Sequence, residues 1–283
     1  MKDLSLIIVN YYSKDLIKEL LDSLPYSVKR EAEIIIVNNS PSENLDFEGY
    51  PFLKVINNEA NLGFAKAVNI GIKVSRGEYI LLVNPDVKFI SGFESALELI
   101  KKRKEIGMLV PLMINKNGEK IPPWRDTESH FRTLLFLLGY ADFIKKKEKR
   151  RIKEKFVPLA PCACALFPSK VFKRVGYFDE NFFLFKEDGD LVRRLRKEKF
   201  YIYFYPKWIV YHEFGGTHKE SLFAFYHRIR SLYYFYKKNQ KIMYPFIRIL
   251  LPLFFLIKSI LSKNFKYFLI SLNFKIFLKN IDL

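Results

Sequence analysis

Two clusters of polar residues stand where chemistry is easiest to place, each directly after a short apolar run. The first contains Asp86, in GEYILLVNPDV, where the run Tyr79–Val83 ends abruptly in Asn84-Pro85-Asp86. An unbroken apolar run of that length between Gly77 and Pro85 predicts a strand buried on both faces of a parallel sheet. Pro85 lacks an N–H and is expected to end the ladder pairing there. A carboxylate is thereby delivered to the C-terminal edge of a strand, the edge at which open α/β sheets bind ligands. The second cluster, Asn38-Asn39-Ser40-Pro41, follows the apolar residues 34–37 in the same way.

The elements that must position these groups alternate in type. Strands are expected at residues 4–9, 34–37, 52–56 and 79–83, and helices at 14–24, with Ser13 as N-cap, and 64–74, introduced by Asn61 and Gly63. That alternation predicts βαβ units, a mostly parallel central sheet flanked by helices, and a nucleotide-binding half over about residues 1–115. Further strands are expected at 108–114 and 160–167. A helix is expected at 187–199, then two strands, FYIYFY and WIVYH, separated by Pro206, then an aromatic helix at 219–238.

Composition narrows the partners. With Lys+Arg 48 against Asp+Glu 30, the formal net charge is +18, which calls for a polyanionic neighbour: nucleic acid, an anionic membrane surface or a phosphorylated substrate. A hydrophobic content of 49% supports a sizeable core and excludes a disordered chain. Cys162 and Cys164 lie in an apolar run with no second pair to complete a zinc site, and read as buried free thiols suited to a reducing cytoplasm. The first apolar run, LSLIIV, is too short for a signal peptide. The basic run at 145–155 reads as a solvated helix or loop, with a phosphate- or lipid-facing patch as the alternative.

Taken in order, SLIIVNYYS, IIIVNNS, NEANLGFAKAVNIGI, GEYILLVNPDV, VGYFDENFFLFKEDGDLVRRLR and YHEFGG resemble family 2 glycosyltransferases of the GT-A fold, in particular their rhamnosyltransferase-like branch. The ordered set spans residues 4 to about 240. The resemblance implies an α/β, GT-A nucleotide-diphospho-sugar transferase fold and an inverting, metal-dependent transfer of a sugar, rhamnose among the candidates, from a UDP- or dTDP-linked donor. The acceptor would be saccharide or lipid-linked, in cell-surface polysaccharide synthesis.

Roles carried over by the resemblance fall on named positions. Asn10, Asn38 and Asn39 would recognise base and ribose. Here Asn38-Asn39 stands where many relatives have Asp-Asn; an amide still donates and accepts, without charge assistance. Asn61, Gly63, Lys66 and Asn69 match the nucleotide-sugar loop and helix, Gly63 letting backbone approach a ligand and Lys66 reaching a phosphate. Asn84-Pro85-Asp86 resembles the Asp-x-Asp metal motif with Asn in first place. Asp86 and His212, with diphosphate oxygens and water, would hold Mg²⁺ or Mn²⁺. Asp188 would be the general base behind an apolar wall of aromatic residues, with Glu187 holding the acceptor or a neighbouring contact. Asp190, followed by Arg193 and Arg194 at helical spacing, reads as an ion-pairing residue. Gly189 and Pro161-Cys162 depart from the usual family residues and bear on the acceptor pocket's shape.

The domain expectation is a catalytic domain at 1–240, with its acceptor half at about 156–240, and a basic, apolar, amphipathic helical tail at 241–283. Within the tail, Arg248 and Lys258 bracket only ILLPLFFLI and Pro252 interrupts it, so an interfacial helix is expected rather than a span. That places the protein in the cytoplasm, peripheral on the inner face of the cell membrane. A rival reading, a basic aromatic nucleic-acid-binding protein, rests on the charge and on Arg-Tyr interleaving near residues 226–236. Acidic and amide residues at the strand ends argue against it. A nucleotidyltransferase is disfavoured by the absence of a Gly- and Arg-rich loop after Val9.

Overall fold

β-branched and leucine side chains dominate the first two strands, and the sheet is built outward from them. A computed structural model of the chain describes residues 3–47, 49–123, 152–212 and 222–262. Of the sequence expectations, most of the basic run 145–155, the EFGG that follows His212, and the end of the tail lie outside them.

The order of elements is β1 (Leu4–Asn10), α1 (Lys14–Ser23), α2 (Tyr26–Glu31), β2 (Glu33–Asn38), β3 (Leu53–Asn57), α3 (Phe64–Val74), β4 (Tyr79–Val83), β5 (Val87–Ser91) and α4 (Phe93–Lys102). There follow β6 (Ile106–Ile114), β7 (Lys120–Ile121), β8 (Lys155–Val157), β9 (Cys164–Pro168), α5 (Lys170–Val175), α6 (Glu187–Lys197), β10 (Tyr201–His212), α7 (Leu222–Asn239) and α8 (Tyr244–Ser262).

The chain divides into two compact units. The first comprises residues 1–127, 150–183 and 187–220, and the second residues 128–149, 184–186 and 221–283. In this division α7 groups with α8. In the second unit Ile247 and Leu251 of α8 are buried, and Tyr244 meets Tyr233 of α7 through both ring edge and hydroxyl.

In the first unit one sheet runs β3-β2-β1-β4-β9-β6-β10-β5. Its first four strands are mutually parallel, with Asn10 opposite Asn38 and Asn38 opposite Asn57. All five residues of β4 are buried, as its unbroken apolar run requires. β9 then runs antiparallel to β4, so that the start of β9, Cys164, faces the end of β4, Val83. β6 and β10 are parallel to each other, and β5 closes the far edge antiparallel to β10. Helices pack on both faces: Ile17, Leu20 and Leu21 of α1 join one core cluster, and Val68 and Ile72 of α3 with Leu191 and Leu195 of α6 join the other. This is the α/β architecture expected.

Three local expectations are corrected. FYIYFY and WIVYH form one strand, because Pro206 sits in a register shift between Tyr205 and Ile209, where no ladder bond from its nitrogen is required. Pro85 does not end pairing for long: Val87 N–H donates to Asn84 O at 3.2 Å, closing a turn with proline in its second position, and β5 begins at once. Ser13 does not cap α1 through its side chain; Glu43 from the β2–β3 connection accepts the Lys14 N–H at 3.3 Å instead.

Candidate active site

Because β1, β2 and β4 are parallel and β9 is not, the ends of the first three and the start of the fourth gather at one edge of the sheet. The end of β10 joins them, since His212 pairs with Val87 immediately after Asp86. The structure thus brings the ends of β1, β2, β4 and β10 and the start of β9 to one edge, with Asn10, Asn38, Asn39, Asn84, Asp86 and His212 at the strand ends.

Asp86 and His212 meet there. His212 Nε2 lies 3.3 Å from Asp86 Oδ2, and both residues are largely buried, at 9% and 7% exposure. Asp86 occupies the third position of the Asn84–Val87 turn, and Asn84 N–H donates to Ala163 O at 2.8 Å, tying that turn to the start of β9. Two donors on adjacent corners of an octahedral Mg²⁺ or Mn²⁺ stand about 3 Å apart. The pair therefore fits a hard divalent cation as two of its ligands. Among the described residues no group of three or more His, Cys, Asp or Glu forms a cage.

The asparagines at the ends of β1 and β2 form a network. Asn10 Nδ2 donates to Asn38 Oδ1 (2.8 Å) and Glu43 Oε2 (2.7 Å), while its Oδ1 accepts from Ser13 N–H (3.0 Å). Asn38 Nδ2 donates to Glu43 O and Asn57 Oδ1, and its Oδ1 also accepts from Ser40 N–H. An amide offers two donors and two acceptor sites, and Asn38 uses all four inside the protein. Asn38 thereby holds the loop after β2. Asn39 donates to Gly63 O (3.1 Å) and accepts from Asn58 (2.8 Å), which ties the Asn61–Gly63 turn to the end of β2. Asn61 Oδ1 accepts Gly63 N–H at 3.0 Å.

Gly63 introduces α3 with φ 82° and ψ 170°, a conformation essentially reserved for glycine. The close approach it permits is made by the protein itself: a Cβ there would lie 2.5 Å from Phe183 O, which accepts the Phe64 N–H at 2.7 Å. Lys66 is exposed on the first turn of α3. Asn69, one turn further along α3, is 1% exposed, and among the described residues its amide bonds to Phe178 and Glu180.

Glu187, Asp188 and Asp190 occupy the first turn of α6, where the helix dipole favours acidic side chains. Phe182 before them is fully buried. Asp188 is half-buried and its Oδ1 accepts Gly189 N–H at 2.7 Å. Asp190 has no exposure and pairs with Arg194 at 2.9 Å. Burial pushes the Cys162 thiol well above its usual range, and the carboxylates of Asp188 and then Glu187 push it further. Through Cys162 the acidic turn of α6 borders the start of β9, next to the Asn84–Ala163 contact.

Sequence reasoning passed over Tyr11 and Tyr12, which follow β1 and are exposed, their rings edge-on at 5.0 Å. Tyr12 takes φ 50°, unusual for an aromatic residue, and its N–H donates to Ser40 Oγ at 2.7 Å. The signal was available: two large aromatic residues directly after a buried strand have no place in its core. Glu43 was also missed, because only the fold brings it to Asn10 and Lys14.

The family model described as Glycosyl transferase family 2 matches residues 5–176. The low-salt glycan biosynthesis hexosyltransferase Agl10 of Haloferax volcanii is 26% identical over 279 residues, covering 94% of this chain and 88% of the relative. The N-acetylglucosaminyl-diphospho-decaprenol L-rhamnosyltransferase of Mycobacterium tuberculosis is 25% identical over 231 residues, covering 74% of this chain and 75% of that protein. Among solved structures, GalNAc-T7 crystallised with UDP, GalNAc and Mn²⁺ superposes with a TM-score of 0.55 at 14% identity, over 85% of this chain and 51% of its own. That likeness bears on the fold alone, the GT-A fold.

Proposed function

We propose, from the premise that the chain belongs to glycosyl transferase family 2, that it is an inverting, metal-dependent enzyme of cell-surface glycan synthesis working on a nucleotide-diphosphate sugar. The observation that carries this reading is the meeting of Asp86 and His212 at 3.3 Å, where the end of β10 pairs beside the turn after β4. The M. tuberculosis relative supports rhamnose as the sugar and a lipid-linked saccharide as the acceptor. Mn²⁺ beside UDP in the GalNAc-T7 crystal supports a divalent cation. Nothing found supports the nucleic-acid alternative.

The residues divide the work. Tyr11 and Tyr12 give the base an exposed aromatic surface, and Asn10 and Asn39 fix the loops beneath it. Asn61, Gly63 and Asn84 shape the backbone around the donor, and Lys66 meets a phosphate. A cation held by Asp86 and His212 would neutralise charge on the departing diphosphate. Asp188 accepts the acceptor hydroxyl's proton as its oxygen forms the new bond to the anomeric carbon; the bond to diphosphate breaks, and its electron pair leaves with the diphosphate. Glu187, beside Asp188 in the same helical turn, orients the acceptor.

The test is transfer from a panel of UDP-, dTDP- and GDP-sugars with Mg²⁺, with Mn²⁺ and with chelator, for the wild type and Asp86→Asn. Chelation should abolish transfer by the wild type. Asp86→Asn should lose metal-dependent turnover and cation-dependent nucleotide affinity, with an unchanged fold. A variant whose rate and metal dependence match the wild type would remove Asp86 from the role.

A further inference from the structure

We infer that Asn69 is a positioning residue that fixes the loop leading into the acidic turn of α6, and through that loop the place of Asp188. The inference rests on the reading of Asp188 as the proton acceptor. It starts from the hydrogen bonds of one side chain. Asn69 Nδ2 donates to Phe178 O (2.8 Å) and to Glu180 Oε1 (2.9 Å), and its Oδ1 accepts Phe178 N–H (2.9 Å). Phe178 lies 109 residues along the chain. The amide thus pairs with both backbone groups of one buried residue, as a neighbouring strand would. Among the described residues no strand pairs with Phe178 to do this.

The need for such a partner is physical. Phe178 is buried at 3% exposure, its ring edge-on to Phe64 of α3. A buried N–H or C=O left without a partner costs about 1–3 kcal/mol, so the loop could not keep this path without an amide at position 69. Aspartate lacks both donors, and leucine lacks every polar group. Only a short side chain with two donors and an acceptor suits all three contacts.

A second tether lies at the other end of the loop, where Phe64 N–H donates to Phe183 O and Gly63 makes room for it. Residues 178 and 183 are therefore both held by α3, and Glu187 and Asp188 follow shortly after. Lys66, between the two tethers on α3, is on its exposed side. The same helix that carries the exposed Lys66 thus grips, through Asn69 and the Phe64 N–H, the segment that leads to the acid. The Lys73–Glu180 ion pair, 3.7 Å long and exposed, adds little to this.

The experiment compares Asn69→Asp, the double variant Asn69→Asp with Glu180→Gln, and Glu180→Ala in the full chain. Three readouts are taken: amide hydrogen exchange, nucleotide affinity and sugar transfer. In Asn69→Asp a carboxylate faces Phe178 O and Glu180 Oε1 with no hydrogen between them. Exchange over residues 177–183 should then speed up about tenfold or more, with β1 and β2 unchanged. Nucleotide affinity should hold while kcat falls about ten- to a hundredfold, as expected for a displaced acid. In the double variant the amide introduced at position 180 can donate to the carboxylate introduced at position 69. The polarity of the lost bond is thereby reversed, and part of both losses should be regained. Glu180→Ala removes an exposed side chain, is not expected to perturb the core, and should shift exchange and kcat more weakly in the same direction.

Unchanged exchange in Asn69→Asp and in Glu180→Ala would overturn the tether. Loss of nucleotide affinity in step with kcat would make Asn69 a donor contact instead. A double variant no better than the single would remove the Glu180 bond from the account. Exchange needs no turnover, so a wild type inactive on every donor would count against the transferase reading while the tether is still decided.

Discussion

Asp188 and Asp190 stand two positions apart on one helical turn, and their surroundings give them opposite work. Asp190 is fully buried, and its partner Arg194 also donates to Val175 O and Gly176 O, so the pair staples α6 to the end of α5. Breaking a buried ion pair from one side costs about 3–5 kcal/mol, so Asp190→Asn should lower the melting temperature, with transfer per folded molecule largely kept. Asp188 is only half-buried and its Oδ1 bonds within its own helix, so Asp188→Asn should keep stability and nucleotide affinity. General base catalysis contributes about 10²–10⁴ in rate, and transfer should fall by that order. Paired melting and rate measurements separate the two; a larger rate loss in Asp190→Asn would move the role. Cys162 offers a probe of the same turn. Burial and the nearby carboxylates hold its thiol protonated, so iodoacetamide at pH 7–8 should spare it in the folded chain and label it in urea; rapid labelling of native protein would contradict this environment. Asp86 stood out in the sequence because a carboxylate directly after an unbroken apolar run is conspicuous, whereas His212 and Asp188 were singled out only through the family resemblance. The hydrogen bonds of Asn38 and Asn69 were not legible, because they depend on partners such as Asn57 and Phe178 that only the fold supplies.

At the scale of elements, strongly patterned segments were readable and conditional ones were not. Phe64–Val74 and Tyr79–Val83 were delimited from sequence because each has unbroken periodicity between clear stops. β5 was passed over: VKFIS is an edge strand whose exposure rises along its length, so its pattern is weak. β10 was split at Pro206 because a proline argues against a central strand unless a register shift accommodates it, and a register shift is a property of two strands. At Gly63 the room expected for a ligand is filled by Phe183 O. Gly63→Ala therefore combines a disfavoured conformation, at about 1–3 kcal/mol, with a backbone collision. It should lower stability and disturb residues 178–183 even without nucleotide, measurable by denaturant titration and hydrogen exchange. A fully stable Gly63→Ala chain would mean that the Phe183 contact relaxes easily.

For the whole molecule, the net charge of +18 asks for an anionic partner larger than one nucleotide sugar, and the second unit supplies a surface of suitable character. Among the described residues no helix is long and apolar enough to cross a membrane. α8 runs through Pro252 rather than stopping there, at the cost of the bond its nitrogen cannot donate to Arg248. Phe246, Ile249, Leu253, Leu256 and Ile260 recur every three or four residues and are exposed, Ile249 at 69% and Ile260 at 68%. Lys241 and Arg248 are exposed beside them. A contiguous apolar stripe flanked by cations is suited to lie in the headgroup region of an anionic bilayer, apolar side down. Covering by another protein surface would bury the same stripe but would not depend on lipid charge. The chain should therefore float with vesicles containing phosphatidylglycerol and not with pure phosphatidylcholine, and 1 M salt should weaken its attachment, since screening shortens the reach of surface charge. Ile249→Ser with Leu253→Ser removes apolar contact at two exposed positions, leaves the buried Ile247 and Leu251 in place, and should reduce flotation without changing nucleotide affinity. Equal flotation with both lipids, or attachment that survives both high salt and carbonate, would rule out a peripheral, charge-assisted helix.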